Sequence, residues 1–151
     1  MPQTDCGFVD GAAGTGRDML VRHGPTLFVD IGFDPTFQPA NPAAPVAGVT
    51  QVYALVDTGA TESCIDDQLA VNLNLPIIDR RQIGGVGGRH TVNVYLAQIH
   101  VPALAFTQYG GFAGVDLAAG GQTHQALIGR TFLWHFTMIY DGLTGGVRLI
   151  Q

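Results

Sequence analysis

The sequence predicts a single, mainly β domain, and three observations carry that prediction. Charged helix formers are almost absent: all seven basic residues are arginine, and Glu62 is the only glutamate among twelve acids. Glycine is abundant, at 21 of 151 residues, beside many valines, threonines and aromatics. Several short apolar runs alternate with a period of two and end in turn residues. The chain is long enough to bury a core without disulfides. With 46% apolar and 13% charged residues, it is not a disordered polymer.

The elements follow in order. Residues 1–22 lack a clear period and read as a flexible arm or an edge strand. Residues 25–33 (PTLFVDIGF) alternate, with Leu27, Val29 and Ile31 on one face. Residues 34–48 hold Pro35, Pro39, Pro42 and Pro45 and read as a loop. Residues 50–56 (TQVYALV) form a second strand, running into Asp57-Thr58-Gly59. Asp66 is placed to cap a short helix over 67–75, which Pro76 ends.

Gly84-Gly85-Val86-Gly87-Gly88 separates strand-like runs at 80–83 and 90–100, which predicts a hairpin with a mobile tip. Residues 107–125, rich in glycine and alanine, read as another loop. A short strand is expected at 126–128, one or two helical turns at 131–136, and a closing hairpin from 137–140 and 147–150. Residues 23–151 thus read as one domain.

The charge of −5 argues against a nucleic-acid partner, which demands a basic surface. No apolar run approaches a membrane span, and residues 1–20 do not resemble a secretory leader. A cytoplasmic protein is expected. Cys6 and Cys64 make no disulfide framework, and the five histidines show no ligand spacing with cysteine or acid. Neither a metal nor a cofactor is expected.

The chemistry points to Asp57. A carboxylate directly after a buried apolar strand is expensive unless it is hydrogen-bonded or functional. Thr58 offers a hydroxyl, and Gly59 allows close backbone approach. The triplet alone is weak, since chance supplies it in roughly a few per cent of chains this long.

Three segments together are more specific. Residues 54–66 (ALVDTGATESCID) resemble the active-site segment of retropepsin-like aspartic peptidases. Residues 81–88 (RQIGGVGG) resemble the flap hairpin of retroviral proteases. Leu127-Ile128-Gly129-Arg130, followed by Thr131-Phe132-Leu133, resembles the family's second signature. Order and rough spacing agree over about residues 25–151, and the closing segment is nearer the bacterial and cellular branch.

The resemblance implies an acid-protease fold: a closed β barrel with one short helix, dimerised face to face. It implies an aspartic endopeptidase in which each protomer supplies one Asp57. Thr58 would brace the paired loops, and Gly59 and Ala60 would offer backbone to a peptide or protein substrate. Ile83, Gly84, Gly85, Val86, Gly87 and Gly88 would form the flap, with Leu127 and Ile128 lining a pocket or the core. Gly129 and Arg130 would support the site. The aspartate that pairs with this arginine in viral relatives is replaced by Thr61, which leaves Glu62 or backbone carbonyls as partners for Arg130.

The residues support the dimer independently. Peptide hydrolysis by carboxylates needs two, and this chain holds one DTG and no internal repeat. A two-fold axis brings the same residue from both copies together. Two other classes stay open: a catalytically silent retropepsin-fold dimerisation or peptide-binding module, and an unrelated hydrolase using Asp57 as nucleophile. The second would want magnesium ligands, and Asp66 and Asp67 lack the spacing.

Overall fold

The computed structural model describes residues 1–40, 48–85 and 87–151. The expectations that fell on Pro42, Pro45 and Val86 lie outside these residues. The elements are β1 (Gln3–Asp5), α1 (Gly16–His23), β2 (Thr26–Gly32), β3 (Gly48–Val56), β4 (Cys64–Asp66), α2 (Asp67–Asn72), β5 (Ile77–Gly85) and β6 (Gly88–Val101). They continue with β7 (Phe106–Val115), β8 (Ala126–Ile128), α3 (Arg130–Leu133), β9 (Thr137–Asp141) and β10 (Gly146–Ile150).

Six strands close a barrel in the order β2-β3-β8-β4-β7-β6, with β6 returning to β2. The mainly β acid-protease fold is therefore as expected. Closure follows from alternation: Leu27, Val29 and Ile31 of β2 turn inward, as do Val52, Ala54 and Val56 of β3. Ile65, Ala97, Ile99, Phe112, Ala126 and Ile128 join them in one core. β5 hangs outside the ring, paired only with the first half of β6. β8 lies between β3 and β4, the two strands that flank Asp57, parallel to one and antiparallel to the other.

A second, three-stranded sheet has the order β1-β10-β9. β10 is its central strand and sends Val147 and Leu149 into the core, so β1 and β9 are the edges. Within 1–22, Gln3–Asp5 is thus an edge strand, and Cys6 and Leu20 join the core.

The sequence reading missed three elements: α1, the short strand β4 and β7. α1 is capped by Thr15, whose hydroxyl accepts the Asp18 N–H at 3.1 Å, and closed by Gly24 at φ 70°. It buries only Gly16 and Leu20, too few apolar positions to give a period. The helices therefore number three α-helices among the described residues, not one.

β7 replaces the first part of the loop expected at 107–125, and 116–125 remain turns and loop. Two of its three glycines, Gly111 and Gly114, are there because neighbours fill their space. A Cβ at Gly114 would sit 2.5 Å from the Tyr95 ring and from the Asp67 carboxylate. One at Gly111 would sit 2.9 Å from Val94. These glycines mark close packing inside a strand rather than a turn.

Candidate active site

β3 ends at Val56, whose N–H is held by the Pro25 carbonyl. The next residue, Asp57, donates its own N–H to the Ile128 carbonyl at 2.9 Å. The tip of β8 therefore fixes where the Asp57 carboxylate emerges. One oxygen, Oδ1, accepts the Gly59 N–H at 2.9 Å. A Cβ at Gly59 would come within 3.1 Å of that oxygen, so glycine keeps the contact uncrowded. Asp57 and Ala60 are half-buried, while Thr58 and Gly59 are exposed.

Beneath this turn, Gly129 crosses the chain at closest approach. A Cβ there would fall 2.4 Å from the Glu62 carbonyl carbon. Its N–H donates to Ser63 Oγ at 3.1 Å, and Ser63 is buried. Arg130 donates its backbone N–H to the Ala60 carbonyl. Its guanidinium reaches the Thr58 carbonyl at 2.7 Å and the Thr61 hydroxyl at 3.0 Å. Arg130 thus grips the backbone of the turn, and Thr61 serves as a partner where an acid was missing.

Glu62 takes a different partner. Its carboxylate pairs with the Arg81 guanidinium on β5. This contact ties the β5–β6 hairpin to the segment leaving the Asp57 turn. Sequence reading did not find the pair, because the residues lie 19 positions apart and only the folded hairpin brings them together. It also passed over Ser63.

The hairpin runs Ile83↔His90, Gly84↔Arg89 and Gly85↔Gly88. Ile83, Gly84 and Gly85 lie on β5, Gly87 in the turn and Gly88 at the start of β6. Ile128 is fully buried and belongs to the core, whereas Leu127 keeps some exposure. Cys64 is partly buried. Burial, helped by the charges of Glu62 and Asp57, pushes its thiol up to about 11, so it stays protonated and is no nucleophile. Trp134 is 77% exposed and so lies outside the core.

The closed barrel, the strand inserted between the two that flank Asp57, and the bonded DTG turn define an acid protease in architecture. An aspartyl protease family model matches residues 43–132, which takes in the turn, the hairpin and Gly129-Arg130. The chain belongs to this aspartyl protease family, within the retropepsin-like clan. No curated protein matches it.

Proposed function

We propose that the protein is an aspartic endopeptidase whose active site forms between two copies of the chain. The observation that carries this reading is the Asp57 turn. It holds a carboxylate at the surface, orients it through Gly59, and leaves Thr58 exposed beside it. One chain supplies half of what carboxylate-catalysed peptide hydrolysis requires. A two-fold axis through this turn would supply Asp57 from each copy and set the two threonines together.

Two carboxylates in contact cannot both ionise cheaply, so the pair shares one proton. The ionised member takes a proton from water as the water oxygen attacks the scissile carbonyl. The protonated member donates to the carbonyl oxygen. Collapse of the tetrahedral intermediate breaks the C–N bond: the carboxyl that took the water's proton gives it to the departing amine, and the other carboxylate takes back a hydroxyl proton as the new carboxyl group forms. Ile83–Gly85 and Gly87–His90 would close over the peptide and exclude water.

Asp57→Asn tests the reading, because the amide oxygen still accepts the Gly59 N–H and the fold is kept. A peptide library is incubated with both proteins and fragments are read by mass spectrometry. Cleavage should fall by at least about 10²-fold. Equal cleavage by the two proteins rejects the assignment.

A further inference from the structure

A groove with a volume of about 800 Å³ lies on the outer face of β2 and β3, beside β1 and α1. No residue from 57 to 64 lines it. Its walls include Phe8, Met19, Phe28 and Tyr53. Phe28 is 56% and Tyr53 50% exposed, with ring centroids 5.1 Å apart. Half of this aromatic surface faces water.

Asp30 also lines the groove and is only 7% exposed. The local chain is built around it. Val29 pairs with Val52 and Ile31 with Val49, so Thr50 and Gln51 together oppose the single residue Asp30. This is a β-bulge, a device that re-aims side chains. Gln51 adopts φ 56°, a conformation rare outside glycine. Its N–H donates to Asp30 Oδ1 at 3.0 Å.

No arginine among the described residues forms an ion pair with Asp30, and the chain has no lysine. The other acid of the groove, Asp5, is answered by Arg148 at 3.1 Å. His100 faces Asp30 from β6, but burial holds it below the usual histidine range, although Asp30 pulls the other way. Of the lining histidines, His124 is also lowered by burial. A buried carboxylate without a cation is costly. Open aromatic faces beside it are what attract an organic cation.

We propose that this groove binds a protonated amine carried on an apolar body, its charge against Asp30 and its body against Phe28 and Tyr53. The bulge and the strained Gln51 are then parts of a binding site. The proposal is independent of peptidase activity.

The test is a titration of the full chain with 2-phenylethylamine near neutral pH, followed by NMR shifts and calorimetry. The neutral alcohol of the same shape, 2-phenylethanol, serves as control. The amine should bind saturably, with shifts centred on Phe28, Gln51 and Tyr53, and about tenfold more tightly than the alcohol. Asp30→Asn, which still accepts the Gln51 N–H, should weaken the amine by about tenfold and leave the alcohol unchanged. Tyr53→Ala, at an exposed position, should weaken both. Absence of saturable amine binding, equal affinity for amine and alcohol, or shifts centred elsewhere would each overturn the proposal. So would parental affinity in a folded Asp30→Asn. If Asp30→Asn does not fold, the amine–alcohol comparison and Tyr53→Ala decide.

Discussion

The Arg130 guanidinium holds the carbonyl oxygen of Thr58 at 2.7 Å, 72 residues away in the chain. The residue after Asp57 is thus fixed by the start of α3, and the Asp57 turn cannot move without breaking a charge-assisted bond. Arg130→Ala should cost about 1–2 kcal/mol, at the low end for a bond to a charged group because the side chain is exposed. It should lower kcat more than it raises KM. Parental kcat in a variant that has lost stability would mean that Arg130 is only a fold support.

If an Asp57 pair shares one proton, the pH profile of kcat/KM is bell-shaped and centred on the acid side of neutral. The alkaline limb reports loss of the shared proton. Cleavage rates on one peptide across the pH range check this. Activity that keeps rising above neutral pH would assign the chemistry to another base.

Stability should fall over part of the same acid range. Burial keeps His100 and His124 below the usual histidine value in the folded chain. Between the unfolded and folded values, the unfolded chain binds more protons, so stability rises with pH. Their contribution is complete above about pH 6.5 and is lost as pH falls from there through their folded values. Tm measured by circular dichroism should therefore drop below pH 6.5 or so, and less steeply in His124→Gln. Identical slopes would discount His124.

The Glu62–Arg81 pair is about half exposed on both sides, at 52% and 39%. Its worth to global stability is small, about 0–1 kcal/mol. Its effect should be local. Glu62→Gln should leave Tm near the parental value while hydrogen exchange at Ile83 and His90 speeds up. A change in Tm without faster exchange there would contradict the view of this pair as a tether for the hairpin. Gly88, at the start of β6, has a left-handed φ of 97°, and a Cβ at Gly87 meets nothing closer than 3.8 Å. Gly88→Val should therefore slow turnover more than Gly87→Val.

The proposed dimer is best probed at β9. It is an edge strand with Ile139 52% and Tyr140 54% exposed, an apolar edge that proteins normally cover. Ile139→Arg should keep the fold and shift the protein toward monomer in sedimentation, with loss of cleavage. Dilution should lower the specific activity of the parent in the same way. A monomer that cleaves at the parental rate would refute a shared site. Removing Gly146–Gln151 would be a poor probe, since it takes Val147 and Leu149 out of the core.

By itself, the sequence determined what local chemistry determines. Alternation placed β2, apolar runs placed β3 and β8, and Asp66 caps α2 as its position suggested, its carboxylate accepting the Leu69 N–H. The glycine-dense turn placed the β5–β6 hairpin. The DTG triplet and Gly129-Arg130 were legible because each needs particular residue types at fixed short spacing. Tertiary structure decided what depends on neighbours distant in the chain. β7 was hidden because Gly111 and Gly114 yield their space to Val94, Tyr95 and Asp67 across the sheet. α1 was hidden because one buried leucine leaves no period to read. The partners of Arg130 and Glu62 were set by how β8, α3 and the hairpin meet the Asp57 turn, since long side chains bond to whatever packing brings within reach. The placement of Asp30 was decided in the same way, by a bulge whose extra residue shows only once β2 and β3 are paired.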